Sequence, residues 1–350
     1  MKFYRETEFQ ETEIGKIPKD WETAKINELF ELYKGTTPST KIKSYWDGDI
    51  PFVTPTDITS TKSIYLTVTE KYLSKEGLQS KKLKLVPENS LLFTSRATIG
   101  YLAINLQKVA INQGIIALIP RKSNVSSLFY YYYLLYKRKM FEELAGGSTY
   151  KEISMNIFSK VTVSLPPFEE QKRITDILST FDKTLEDVDE TINRLERLKK
   201  ALMGELLAGR IRVKEVDGKL TFYRETEFQE TEIGKIPKDW DVVKLETIGD
   251  IVDGFAFPIK YQGKKNGRYN FAKVSDTNLP GNEKYISVTE NTIDDELVEK
   301  IGVKIYPSGT IIFPKIGMVI YLRKVRILTK AGTFDNNIMG IIPNEKIINR

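Results

Sequence analysis

Two stretches of this 350-residue chain carry residue types from which active sites are built. In Leu165-Pro166-Pro167-Phe168, a Pro-Pro-aromatic turn could receive an extruded base for amino-group methylation, provided an Asp or Asn preceded the prolines. In AGGSTYKEIS, Ala145 to Ser154, glycines stand near a lysine, as they do around bound phosphates. Neither completes a site. Leu165 cannot accept a hydrogen bond from an amine, and no glycine-rich turn follows a strand to hold a methyl-donor cofactor. The glycines and Lys151 come in the wrong order for a P-loop, and helicase motifs are missing. The chain also has no histidine and no cysteine. That removes the commonest general base, the Ser-His-Asp triad, thiolate nucleophiles, disulfides and nearly all zinc chemistry. Composition leaves open only a metal site made of carboxylates. No catalytic residue, cofactor or metal ligand is assigned, and Pro166 and Pro167 are assigned to a helix start.

The chemistry that remains is recognition. Apolar residues make up 41% and charged residues 29% of the chain, which fits a globular protein of about two domains. No apolar run reaches the roughly 20 residues needed to cross a bilayer, so no membrane association is expected. The start, MKFYRETEF, has no apolar core of a secretory signal, and the cytoplasm is the expected compartment. The net charge of +6 is unevenly placed. Residues 1–167 hold 23 Lys and Arg against 17 Asp and Glu, whereas residues 168–214 hold 10 of each and residues 215–350 hold 20 of each. The excess lies in the first half of the chain, where it would suit phosphate backbones.

The elements that must carry such a surface are written twice. FYRETEFQETEIGKIPKDW occupies residues 3–21 and recurs letter for letter at 222–240. Beyond the identity, Gly35, Phe52 and Asp57 fall on Gly254, Phe271 and Asp276 at an offset of 219. Val68 to Glu70 fall on Val288 to Glu290, Pro87 on Pro307 and Phe93 on Phe313 at an offset of 220. GIIALIP, ending at Pro120, matches NIMGIIP, ending at Pro343. The retained positions are mostly turn formers and apolar residues, and most polar residues between them differ. The period is too long for a solenoid of about 20–50-residue units, so a duplicated domain is predicted. Short runs rich in Val, Ile, Tyr, Phe and Thr, broken by Gly, Pro, Asn and Asp, predict strands. NELFELY near Phe30 and SSLFYYYYLLYKRKMFEEL, through Tyr130 to Leu144, predict helices. The aromatic run Phe129 to Tyr133 is assigned to the core on its helical spacing. Each unit is therefore expected to be α+β.

Between the copies, Phe168 opens a run with no proline and no glycine before Gly204. Leu178, Phe181, Leu185, Val188, Ile192 and Leu195 alternate spacings of three and four, the a/d seam of a coiled coil. Leu198, Leu202 and Leu206 continue the stripe after a shift of register. The run predicts one helix of about 40 residues and roughly 60 Å. Its start follows two prolines with Glu169 and Glu170 at the positive end, and Gly209 is the expected stop. Nothing else in the chain could pair with its seam, so the partner helix is expected from elsewhere.

EIGKIPKDW at the start of each unit, GTTPST followed by PFVTPTDIT, SRATIG, INQGIIALIP, AGGSTYKEIS and above all LPPFEEQKRITDIL form one pattern. The chain resembles the DNA specificity (S) subunits of type I restriction–modification enzymes over essentially its whole length. The resemblance implies two homologous α+β target recognition domains joined by a long coiled-coil-forming helix. These are residues 1–167 with the leading segment 3–21, the helical spacer 168–210, and residues 211–350 with the leading segment 222–240. Each domain would read one half of a bipartite double-stranded DNA target. The helix would set the spacing and dock methyltransferase (M) subunits, and restriction/translocase (R) subunits would join them. The subunit itself would catalyse nothing. In the family a second LPPxEEQ helix follows the second domain; one repeat on, that motif falls beyond Arg350, so the second domain is expected to be C-terminally incomplete.

The same resemblance points to polar loops as the DNA-contacting surface, where Arg, Lys, Asn, Gln and hydroxyls can read base edges and phosphates. In the first unit these are Lys34, Thr36, Thr37, Ser39 and Lys41, then Thr56 and Thr59, Arg96 and Thr98, Asn112 and Gln113, and Ser148, Thr149 and Lys151. In the second unit they are Lys273, Ser275, Lys315, Asn336 and Asn337, with Lys264 and Lys265 as phosphate contacts. Asp57 and Asp276, retained in both copies, are expected to cap the scaffold rather than read bases.

Overall fold

The structure, a computed structural model, describes residues 6–146, 151–316, 324–345 and 347. It divides into two compact units, Met1–Glu196 and Arg197–Arg350, with the division falling inside the long helix.

The first unit is built on a five-stranded sheet. Its strands run in the order Phe30–Lys34, Ile115–Pro120, Leu91–Thr94, Leu102–Asn105 and Tyr65–Leu66. A second sheet has the order Ala110–Ile111, Trp46–Val53 and Lys71–Leu73. The second unit repeats both. Its large sheet runs Gly249–Asp253, Ile338–Pro343, Ile311–Pro314, Arg326–Leu328 and Tyr285–Ile286. Its small sheet holds Asn291–Ile293, Tyr269–Ala272 and Gly332–Phe334, with the middle strand again parallel to one neighbour and antiparallel to the other. The duplication read from sequence is thus a duplication of topology.

Retained residues do the same mechanical work in each copy. Each leading segment forms a hairpin, Phe9–Thr12 with Gly15–Pro18 and Phe228–Thr231 with Gly234–Pro237. The Gln10 amide donates to the carbonyls of Pro18, Lys19 and Trp21 at 3.3, 3.1 and 2.6 Å. Gln229 does likewise to Pro237, Lys238 and Trp240 at 3.4, 3.2 and 2.7 Å. Gly35 and Gly254 lie so close to a neighbouring strand end that a Cβ would sit 2.0 Å from the carbonyl oxygen of Ile111 or of Asp335. Only glycine fits there.

Helical segments close the core of the first unit. Phe129, Tyr130 and Leu134 of the helix Ser127–Tyr136 are buried, and Tyr130 meets Phe30 edge-to-face with ring centroids 5.1 Å apart. The Tyr130 hydroxyl donates to the Ser164 carbonyl, and burial raises its pKa. The helical run predicted through Leu144 is present, but it breaks at Lys137 into a second helix, Arg138–Leu144.

The long helix spans Phe168–Leu207. Its first turn is seated on the first unit. The Trp21 indole N–H donates to Glu170 (2.9 Å), and the wholly buried Gln171 accepts from the Ser126 N–H (3.0 Å) and donates to the carbonyls of Asn124 (3.1 Å) and Pro166 (2.9 Å). Tyr132 donates to Asp182 (2.6 Å), three turns further along. Beyond that the apolar stripe is bare, with Phe181 and Leu185 each 63% exposed. The helix stops where expected. Gly209 takes φ +67°, and the Arg210 N–H closes the last turn onto the Glu205 carbonyl.

Two elements differ from expectation or were not anticipated. NELFELY is helical only over Ile26–Leu29; Phe30–Lys34 is a strand paired along its length with Ile115–Pro120. A partner some eighty residues away overrides a local helical pattern. After the long helix, Ile211–Val216 and Lys219–Arg224 form a hairpin around Asp217-Gly218, both with positive φ. An Asp-Gly turn between alternating residues is the sequence signal for such a hairpin.

Candidate nucleic-acid interface

In the first unit the polar loops meet at one end of the large sheet. The strands Phe30–Lys34 and Leu91–Thr94 finish there, and Ile115–Pro120 begins there. Backbone bonds knit the loops together. The N–H of Thr36 reaches the Ile111 carbonyl at 3.2 Å, that of Ser95 the Gly114 carbonyl at 2.8 Å, and that of Ile153 the Ser95 carbonyl at 2.9 Å. The Asn112 N–H donates to Val53 at the end of the small sheet (3.0 Å). This convergence gathers Lys34, Thr36, Thr37, Arg96, Thr98, Asn112, Gln113 and Lys151, which the sequence spreads over more than a hundred positions.

Several of these side chains already have partners. The hydroxyl of Thr37 donates to Gln113, and Asn112 Oδ1 accepts from the Gly114 N–H at 2.8 Å to form the local turn. Lys34 pairs with Glu152, whose other oxygen lies 3.8 Å from Arg96 Nε. The Thr98 carbonyl accepts from the Thr94 hydroxyl. Thr56 is exposed on the short helix Pro55–Ser60, whose Pro55 ring packs at Gly114. Thr59 is half-buried and its hydroxyl is spent on the Thr56 carbonyl (3.2 Å). Ser39 and Lys41 are exposed farther along their loop, where the Ser39 carbonyl accepts from the Trp46 indole (3.1 Å). Ser148 and Thr149 lie outside the described residues.

The second unit assembles the matching end from different side chains. Asn336 is exposed, and Asn337 closes the turn by donating through its amide and its N–H to Asp335 Oδ1 at 2.6 and 2.9 Å. The Lys315 N–H donates to the Asn337 carbonyl (2.9 Å), so Lys315 takes the place Ser95 holds in the first unit. Its ammonium pairs with Asp253 at 2.5 Å. Lys273 and Ser275 follow the strand Tyr269–Ala272 into the same region, and the Lys273 ammonium reaches Gln262 at 3.1 Å. Lys264 and Lys265 are exposed but elsewhere. The Lys264 carbonyl accepts from Thr292 in the small sheet's outer strand, across the sheet from Gly332–Phe334.

Asp57 and Asp276 are caps. Asp57 Oδ2 accepts from the Thr54 N–H at 2.7 Å and Oδ1 from the Glu70 N–H at 2.9 Å. Asp276 repeats this with Lys273 at 2.7 Å and Glu290 at 3.0 Å. Burial raises the Asp276 carboxyl above the ordinary aspartate range, opposed by those two N–H groups. The residue that sequence reasoning passed over is Glu152. It stands inside AGGSTYKEIS, but only the fold shows that it faces two cations. Among the described residues, no three carboxylates are grouped to hold a metal ion, and no helix is long and apolar enough to cross a membrane.

One scaffold is used twice, with unlike polar groups at the same end of its large sheet. The family profile of the type I restriction modification DNA specificity domain matches residues 18–197 and 237–350, and the chain belongs to that family. It is 34% identical over 344 residues to the type I restriction enzyme MjaIX specificity subunit of Methanocaldococcus jannaschii, covering 97% of this chain and 76% of that protein. It is 25% identical over 257 residues to the MjaVIII specificity subunit of the same organism, covering 73% of this chain and 56% of the relative. Among solved structures, the HsdS subunit from Thermoanaerobacter tengcongensis aligns at 15% identity and a TM-score of 0.45, over 94% of this chain and 76% of that one.

Proposed function

We propose that the chain is the DNA sequence-recognition subunit of a type I restriction–modification complex, reading a bipartite double-stranded target with one unit per half-site. The strand-end groups around Lys34, Arg96 and Gln113, and around Lys273, Lys315 and Asn336, are the reading surfaces. Ser39, Lys41, Thr56, Lys264 and Lys265 are supplementary, phosphate-facing positions. The long helix spaces the two readers and, through its bare seam, pairs with another helix in the assembly. Methyltransferase subunits dock on the retained parts, the identical leading segments above all, so that two copies find the same surface. Restriction/translocase subunits join for cleavage, and the chain itself supplies no catalytic group. In this role it acts in the cytoplasm.

The observation that carries this reading is the contrast between retained and exchanged positions. The caps Asp57 and Asp276, the clamps Gln10 and Gln229 and the close-approach glycines are the same in both units. At the matching sheet ends, by contrast, Lys34 is replaced by Asp253 and Gln113 by Asn336. Identical mechanics under different hydrogen-bonding groups is what reading two different half-sites requires.

The test is DNA binding by the full chain with its methyltransferase subunits, titrated against salt. Sequence-dependent binding is expected, with log K falling linearly in log salt by several phosphates' worth of slope. Salt-independent or absent binding would instead make the chain an assembly scaffold. Methyl transfer by the purified chain alone would make it an enzyme and overturn the proposal.

A further inference from the structure

We infer that Glu152 is the positioning residue of the first unit's reading surface, holding Lys34 and Arg96 as one fixed donor group, and that Asp253 does the same for Lys315 in the second. The inference rests on the DNA-recognition role proposed above.

Glu152 is itself held firmly. Its residue forms isolated antiparallel bridges with both Arg96 and Gly146, and its N–H donates to the Gly146 carbonyl at 3.0 Å. On either side the Ala97 N–H donates to the Lys151 carbonyl (3.0 Å) and the Ile153 N–H to the Ser95 carbonyl (2.9 Å). The loop it braces holds a non-glycine residue in the left-handed region, Ala97 at φ +63°, which a chain adopts only when its surroundings over-determine it. From this fixed base one carboxylate meets two cations, Lys34 and Arg96 Nε.

Stability does not account for the arrangement. The three side chains are 32 to 44% exposed, and ion pairs in such settings contribute little to folding. What the carboxylate does accomplish is to arrest two long, rotamer-rich side chains side by side before DNA arrives, which removes an ordering cost from binding. It also sets the local charge. Within this trio, two cations and one anion leave a single positive charge, enough to favour a phosphate or a guanine edge without gripping any sequence equally.

The second unit keeps a link between the same strand ends but builds it from different charges. Asp253 ends the strand that corresponds to Phe30–Lys34, and it pairs at 2.5 Å with Lys315 beyond the strand that corresponds to Leu91–Thr94. The same two strand ends are tied in both units: in the first, cations stand at both ends and a third segment supplies the carboxylate between them, whereas in the second one end carries the cation and the other the carboxylate, so the pair itself is neutral. A link needed only for folding would have kept its residues, as the caps did. A link whose mechanics stay while its charge pattern changes belongs to the reading surface.

The experiment uses the full chain with its methyltransferase subunits, selecting from a random duplex library and sequencing what is retained. Glu152→Gln keeps the side-chain shape and removes the charge. It is expected to erase sequence preference in one half of the selected motif and leave the other half intact. On a duplex of random sequence, affinity should rise and the slope of log K against log salt should steepen by about 0.9, one added cation. Glu152→Asp should restore the motif. Asp253→Asn should degrade the opposite half. An unchanged motif and slope for Glu152→Gln overturns the inference, as does equal loss in both halves. Absence of any motif with the unaltered chain would strike the DNA-recognition role itself, and this inference with it.

Discussion

Replacing Gln171 with leucine removes the side chain that seats the long helix on the first unit while nearly preserving its volume. Three backbone groups lose their partner: the Ser126 N–H and the carbonyls of Asn124 and Pro166. Gln171 is 0% exposed, so water cannot replace the lost bonds without opening the joint. A buried donor left unpaired costs about 1–3 kcal/mol, and each carbonyl adds a smaller amount because an oxygen tolerates partial satisfaction better. The apolar leucine returns part of this through its own burial. The expected net loss is about 3 kcal/mol, within a range of about 2–5. With a urea slope of about 2 kcal/mol/M, the unfolding midpoint followed by far-ultraviolet circular dichroism should fall by roughly 1.5 M. Arg173→Leu, two positions on and exposed, is the control and should stay within about 0.5 kcal/mol of the parent. A Gln171→Leu loss no larger than that of the control would refute the view that this amide fastens the helix.

Further outcomes follow from the same contacts. Asp57→Ala and Asp276→Ala should each cost about 1–3 kcal/mol in urea titrations, because each orphans backbone N–H groups on two segments. Phe181→Ser with Leu185→Ser should change the stability of the isolated chain by less than about 0.5 kcal/mol, since both are solvated, while weakening assembly in sedimentation runs. The Arg212 guanidinium, hydrogen-bonded to Asp239 at 2.8 Å on two oxygens, holds that carboxyl below its ordinary value of 3.8. A lowered folded value means the pair stabilises fully above 3.8 and is lost as pH falls from there through the folded value, so the acid limb of a stability-versus-pH curve should flatten in Asp239→Asn.

Local chemistry was legible in the sequence wherever one segment decides its own shape. The long helix announced its start by two prolines, its stop by Gly209 and its apolar seam by spacings of three and four, and the retained Asp57 and Asp276 read correctly as caps. What stayed hidden depends on distant pairing. Phe30–Lys34 looks helical until Ile115–Pro120 lies beside it, because alternation over five residues is too short to compete with the apolar run around it. The hairpin after Arg210 did carry its Asp-Gly signal, though a short pair of mostly exposed strands has no buried face to mark it by alternation. The candidate site divides in the same way. Its residue types were readable as polar loops, but their meeting at one sheet end is a property of strand order. Glu152 is the extreme case: an acid among lysines in sequence, a bracket between two cations in space.

That division bears on why a reader would be built by duplication. Positions that cannot change are those where a side chain or its absence satisfies backbone. A Cβ at Gly35 or Gly254 would stand 2.0 Å from a carbonyl oxygen, and losing a cap or the Gln10 amide strands several polar groups at once. Positions such as Lys34, Thr36, Gln113 and Asn336 sit at strand ends with much of their surface in water, where exchange typically costs within about 0.5 kcal/mol. Hydrogen-bonding pattern and local charge can therefore change at this sheet end without a compensating change in the sheets beneath it. The Lys34-to-Asp253 inversion is one such exchange already made, with the strand pairing on both sides of it intact. Once copied, the scaffold needed no second solution to folding, only a second set of side chains at its open end.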